Sequence, residues 1–258
     1  MTLADFDRFD ATYDGTTHTV FRSGRGPAVV VMHEIPNLHP GVLAFGRRVA
    51  DAGFTVYLPS LFGEPGAPVT ARTNTRSILR ACISAEFSTW ATRRTSPATR
   101  WLRALARDAH AACGGPGVGA LGMCLTGGFA LAMMVDDVVV APVLSQPSVP
   151  FPVTPAMRRD LGISDDDLAT IKRRTDVCVV GLRFTGDALV PAARFDRLRA
   201  ELGDRFIAIE IDSSRGNPHG IPRLAHSVLA HDYVDTPGHP TRVALDRVLA
   251  FFAERLRD

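Results

Sequence analysis

The chain has 258 residues, enough for one large α/β domain or two small ones, and its 46% hydrophobic and 22% charged residues with a formal net charge of +2 describe an ordinary globular protein. All basic residues except Lys172 are arginines, but Arg47, Arg72, Arg100, Arg173 and Arg215 are scattered, which argues against a basic face for nucleic acid. The acidic start MTLADFDRFDATYDG lacks the features of a secretory signal and no later run is long enough to span a bilayer, so a cytoplasmic protein is expected.

No break, repeat or low-complexity tract divides the sequence, and a single domain over residues 1–258 is expected. ATYDGTTHTVFRSG reads as an antiparallel strand or hairpin at a sheet edge, with Asp14-Gly15 as its turn. PAVVVMHE is a short β-branched run suited to a buried strand. GVLAFGRRVADAG has helical spacing stopped by Gly53, and FTVYLPSLFG is the next strand, which completes a β-α-β unit. Residues 63–95 interrupt the alternation with proline-rich GEPGAPVT and a helix through Ile78, Cys82 and Phe87. They are expected to form a helical or loop excursion that covers a site.

Ser96 as N-cap and Pro97 at the first helical position open a clear helix that stops at Gly114-Gly115. Then follow the strand VGALGMC, a helix from Thr126 to about Met134, the strand VVVAPVLS, and the helix SDDDLATIKRR with Ser164 as cap. The strand DVCVVGLRFTGD, the helix PAARFDRLRAELG, the strand FIAIEID, a loop over 213–237 and a final helix PTRVALDRVLAFFAERLRD complete the chain. This alternation predicts an α/β fold with a mostly parallel, doubly wound sheet and helices on both faces.

Two apparent motifs fail on their context. Gly117, Gly119 and Gly122 fit G-x-G-x-x-G, but they lie before and within a strand instead of opening a helix, so no dinucleotide cofactor is expected. His33-Glu34 would need a second histidine at position 37 to hold zinc. That residue is Asn37, and Pro36 breaks the helix. Cys82, Cys113, Cys124 and Cys178 include no Cys-x-x-Cys pair, so neither a disulfide framework nor a metal site is expected.

Cys124 differs from the other thiols because it stands between a strand and a helix, flanked by Gly122, Gly127 and Gly128. A nucleophile on such a turn is pushed clear of the sheet, and small residues two before and two or three after let the strained backbone pack. A cysteine nucleophile needs a histidine to take its proton and an acid to orient the imidazole, contributed by loops after later strands. Asp187 follows the strand VCVVGLRFTG. After FIAIEID come His219 and His226, of which His226 suits the order better and His219 is the alternative base. Cys82, Cys113 and Cys178 fall within helical or strand runs and read as core. His231 and His239 read as surface or helix-entry residues.

Gly122-Met-Cys124-Leu-Thr-Gly127-Gly128, Glu34 after the first buried strand, FTGDALVP and AHSVL, in this order, resemble the dienelactone hydrolase family from about Ala28 to the C-terminus. The resemblance implies an α/β-hydrolase fold with Cys124 as nucleophile, Asp187 as acid and His226 as base. Glu34 would hold the resting thiol, and the backbone N–H groups of Ile35 and Leu125 would form the oxyanion hole. It further implies a hydrolase of activated esters, dienelactone-like lactones or thioesters (the carboxymethylenebutenolidase type), acting on a small molecule without metal or organic cofactor, as a monomer or small homo-oligomer. Two positions depart from the pattern. Thr126 replaces a common glycine, where its hydroxyl is expected to cap the helix. Ala230 stands where dienelactone-cleaving members carry a carboxylate-binding arginine, for which Arg76 or Arg80 of the excursion are the candidate replacements. The rival reading is a non-catalytic or redox-responsive small-molecule-binding protein on the same fold.

Overall fold

A computed structural model describes residues 2–70, 72–75, 77 and 96–257. The expected helix through Ile78, Cys82 and Phe87 lies outside the described residues, as do Arg76 and Arg80. Strands β1 (Asp7–Tyr13), β2 (Thr16–Gly24), β3 (Ala28–Met32) and β4 (Thr55–Pro59) precede β5 (Val118–Met123), β6 (Val139–Ser145), β7 (Val179–Phe184) and β8 (Phe206–Ile211). They form one eight-stranded sheet in the order β1-β2-β4-β3-β5-β6-β7-β8. β1 and β2 pair antiparallel, as do β2 and β4, and every other pair is parallel.

The burial follows from this topology. β3, β5 and β7 are covered on both faces, and their residues are buried throughout, whereas β1 at the edge is largely open to solvent. The edge hairpin turns at Asp14 and Gly15, with φ of 50° and 77°, the pair of positive values that a two-residue turn requires.

Helices α1 (Pro40–Asp51), α2 (Pro97–Cys113), α3 (Gly127–Met133), α4 (Pro155–Arg159), α5 (Asp165–Arg173), α6 (Ala192–Leu202) and α7 (Pro240–Leu256) wind over the two faces. Val29 and Val31 pack with Val42 and Phe45 of α1 and Val248 and Phe252 of α7. Their neighbours Ala28, Val30 and Met32 point the other way, to Trp101 and Leu105 of α2 and Phe129 of α3. Adjacent strand residues thus feed two separate cores, as alternation of side chains across a sheet requires. Ser96 and Ser164 cap their helices by accepting from the amides of Thr99 and Asp167. The short helix α4 was not expected from the sequence.

The glycines of the apparent dinucleotide pattern serve packing. A Cβ at Gly119 would lie 3.1 Å from the Phe252 ring, and one at Gly117 would lie 2.7 Å from the Val138 carbonyl oxygen. Among the described residues, no helix is long and apolar enough to cross a membrane.

Candidate active site

β5 ends at Met123 and delivers Cys124 onto a 3-10 turn, Cys124–Thr126, that leads into α3. Cys124 has φ 54°, in the left-handed region that costs a side-chain-bearing residue about 1–3 kcal/mol. The surroundings enforce that geometry. A Cβ at Gly122 would lie 2.1 Å from the Thr126 carbonyl oxygen, and one at Gly127 would lie 2.6 Å from Pro147 Cα, so both positions require glycine.

Thr126 acts differently from expectation, because its side chain does not cap α3. Its fully buried hydroxyl accepts from the Met123 amide at 2.9 Å and lies 3.0 and 3.2 Å from the carbonyl oxygens of Met32 and His33. It therefore ties the end of β5 to the end of β3.

Asp187 lies three residues beyond β7. Its Oδ1 accepts from the Leu189 amide at 2.9 Å, leaving Oδ2 to accept from His226 Nδ1 at 2.6 Å. The His226 loop is held in turn by Asp232, whose Oδ2 accepts from the amides of His226 and Ser227, both at 2.8 Å. With Nδ1 committed, His226 Nε2 is buried without a hydrogen-bond partner and lies beside the Cys124 thiol. Burial favours the neutral ring. The hydrogen bond to Asp187 and the proximity of Cys124 outweigh it and push the His226 pKa up to about 11.

Glu34, just past β3, lines the same cavity, but its carboxylate does not hold the thiol in this conformation. Oε1 accepts from His39 Nε2 at 2.9 Å and Ser227 Oγ at 2.7 Å, and Oε2 accepts from Gln146 Nε2 at 2.9 Å. Burial alone would raise its pKa. The bonds from His39 and Ser227, with the charge of His226, reverse that and lower it. The Cys124 Sγ instead hydrogen-bonds Ser148 Oγ at 3.3 Å.

Ile35, which follows Glu34, lines the cavity together with Cys124, and Leu125 follows Cys124 in the chain. Among the described residues the Ile35 amide donates to no other group. Leu125 sits at the start of a 3-10 turn, where the first amides have no partner within the turn.

The cavity measures about 430 Å³ and includes Glu34, Ile35, Cys124, His226 and Asp232 in its lining, with Val69, Phe151, Leu189 and Leu224 partly exposed around it. Ala230 packs with the α1 and α7 core, close to Gly41, while the next residue, His231, lines the cavity. His219 lies outside that lining, exposed, with its ring 5.7 Å from that of His239. His239 is the N-cap of α7. Cys113 and Cys178 pack against the cores, Cys113 within 3.5 Å of the Tyr57 hydroxyl. Among the described residues no group of three or more His, Cys, Asp or Glu is arranged to hold a metal.

Sequence reasoning missed His39, Gln146, Ser148 and Asp232. Only His39 left a local signal, since a polar residue before Pro40 is a helix-entry pattern. It is the N-cap of α1, accepting from the Gly41 amide at 3.2 Å.

No protein of curated function matches the chain in sequence. Among solved structures, the chain is similar to a dienelactone hydrolase-like promiscuous phosphotriesterase from metagenomic libraries, with 18% identity, TM-score 0.65, and 97% and 98% of the two chains covered. It is also similar to a dienelactone hydrolase of Anabaena variabilis (15%, TM-score 0.58, 98% and 100% covered). A third similar structure is a cold-adapted esterase from an Arctic intertidal metagenomic library (13%, TM-score 0.58, 98% and 94% covered). These likenesses show the α/β-hydrolase fold. The family model for dienelactone hydrolases matches residues 12–255, and the chain therefore belongs to the dienelactone hydrolase family.

Proposed function

We propose that the protein hydrolyses activated esters, dienelactone-type lactones or thioesters through a Cys124 acyl-enzyme. The observation that carries this reading is the left-handed Cys124 beside an imidazole whose other nitrogen is fixed by Asp187. A thiolate is the reactive form of cysteine, and an imidazole that retains its proton to high pH is the partner that form needs.

In the first step the Cys124 sulfur forms a bond to the substrate carbonyl carbon, and the carbonyl electrons move onto oxygen beside the amides of Ile35 and Leu125. Each such donor contributes on the order of 3 kcal/mol to the transition state. The tetrahedral species collapses with loss of the alcohol, enol or thiol, which receives the His226 proton. Water then attacks the thioester as His226 takes its proton, and the carbon–sulfur bond breaks to release the acid. Asp187 keeps Nδ1 protonated and Nε2 directed at the chemistry throughout. These steps use only side chains and backbone amides. In this reading Glu34 anchors the His226 loop through Ser227.

The test is turnover of p-nitrophenyl butyrate and of a dienelactone by the wild type and by Cys124→Ala. We expect the wild type to turn over and the variant to lose about 10³-fold or more in kcat/KM. Equal rates would remove Cys124 as nucleophile. Absence of wild-type turnover on a broad ester panel, with ligand binding retained, would favour a binding protein.

A further inference from the structure

We propose that Ser148 is the hydrogen-bond donor that holds the Cys124 thiolate and eases its departure from the acyl-enzyme. This rests on the hydrolase reading above and adds a residue outside the expected triad. Ser148 is fully buried, and Cys124 is the partner of both its polar ends: Oγ lies 3.3 Å from Sγ, and its amide donates to the Cys124 carbonyl oxygen at 3.1 Å. Two contacts to one residue fix the hydroxyl relative to the sulfur.

The segment that carries Ser148 is held on three sides. Before it, the Gln146 amide donates to the Leu182 carbonyl oxygen at 2.8 Å, and the Gln146 side chain reaches Glu34. Pro147 closes against Gly127, where no Cβ would fit. From α6, the fully buried Arg194 donates to the carbonyl oxygens of Pro147 at 2.7 Å and Asp160 at 2.8 Å, and also to those of Pro150 and Met157. A donor mounted this rigidly gains little freedom when its acceptor changes, so its preference among the states of the sulfur is expressed in the chemistry.

The chemistry favours a hydroxyl over a carboxylate here. A carboxylate beside a thiolate is repulsive, and the oxygens of Glu34 are already taken by three donors. A thiol can donate to Ser148 Oγ, whereas a thiolate can only accept from its O–H, and a thioester sulfur accepts poorly. During acylation the sulfur lone pair becomes the carbon–sulfur bond, and the Ser148 proton loses its acceptor. During deacylation water adds to the carbonyl, His226 takes its proton, the carbon–sulfur bond breaks, and the electron pair returns to a sulfur that Ser148 can stabilise.

Before attack, this hydrogen bond raises the thiolate population and lowers its nucleophilicity, and the two effects oppose each other in kcat/KM. In deacylation it acts in one direction, because a better-stabilised thiolate leaves faster. Removal should therefore separate the two kinetic constants.

The experiment compares wild type, Ser148→Ala and Ser148→Thr on p-nitrophenyl butyrate, with intact-mass measurement of the acyl-enzyme at steady state. For Ser148→Ala we expect kcat to fall about tenfold, KM to fall by a similar factor, and kcat/KM to stay within about twofold, as loss of a hydrogen bond to a charged group implies. The acyl-enzyme should become the major species. Threonine, which keeps the hydroxyl, should restore kcat to within about threefold of wild type. The alanine variant should keep its melting midpoint within about 4 °C of wild type, the shift expected from one lost buried hydroxyl.

An unchanged kcat, a kcat/KM that falls as far as kcat without accumulated acyl-enzyme, or a threonine variant that behaves like alanine would overturn the proposal. So would a larger loss of melting midpoint, which would assign Ser148 to the fold. A wild type without ester turnover would instead overturn the hydrolase reading itself, so the two failures are distinguishable.

Discussion

Two carboxylate–imidazole pairs flank the cavity, and they differ in what is left over. Asp187–His226 and Glu34–His39 have similar separations, 2.6 and 2.9 Å. In the first pair Nδ1 is bound and Nε2 has no partner, so one nitrogen is available for proton transfer beside a thiol. In the second pair Nδ1 lies 3.2 Å from the Gly41 amide and Nε2 2.9 Å from Glu34, so both ring nitrogens are taken and nothing is kept in reserve. Nearly the same chemical unit leaves a ring nitrogen open beside a thiol in one place and is fully bonded in the other. A histidine beside an acid is therefore not by itself a sign of catalysis; the free nitrogen is the relevant feature.

Replacing the two histidines in turn gives the widest separation. His226→Ala is expected to lose about 10³-fold or more in kcat, while His219→Ala, remote from the cavity, stays within about twofold of wild type. A His226 variant with near-normal turnover in the p-nitrophenyl butyrate assay would erase the distinction between the pairs.

The next largest effect falls on stability. Glu34→Ala leaves His39, Gln146 and Ser227 without their buried acceptor, and urea unfolding should show a loss of about 3 to 5 kcal/mol. A variant as stable as wild type would show that the second pair is not a structural tie.

His33 gives a smaller, pH-dependent effect. It is fully buried, its Nδ1 donates to the Glu34 carbonyl oxygen at 2.9 Å, and its Nε2 accepts from the Leu61 amide at 3.1 Å. Burial lowers its pKa from the ordinary 6.5 to about 4, so the unfolded chain binds the proton more readily. Its contribution is intact above about pH 6.5 and is lost as pH falls toward about 4, by about 3 kcal/mol in all. His33→Gln should flatten the urea stability profile in that interval, and an unchanged slope there would show that another group sets it.

The legible part of this molecule is the part written in neighbouring residues. Periodicity revealed the strands and helices because side chains repeat every two residues in a strand and every 3.6 in a helix. Gly122 and Gly127 marked the turn because their smallness is required within a few residues of Cys124. Positions 124, 187 and 226 could be ordered because each lies in a loop beyond a strand end.

The polar shell left no such trace. Gln146 and Ser227 meet Glu34 from 112 and 193 residues away, and Ser148 meets Cys124 from 24 residues away. Nothing adjacent to any of them in the sequence records the meeting. Thr126 was visible as an oddity, but its direction was not. The hydroxyl points across to β3 because the carbonyl oxygens of Met32 and His33 come within its reach only after the two strands pair.

That crossing hydroxyl bears on substrate activation. Ile35 follows the end of β3 and Leu125 the end of β5, so the two amides to which the proposed mechanism assigns the oxyanion come from the ends of different strands. Thr126 bridges those strand ends through a fully buried, uncharged hydroxyl. In the proposed mechanism, the spacing of those two amides therefore depends on one uncharged side chain that ties the strand ends together.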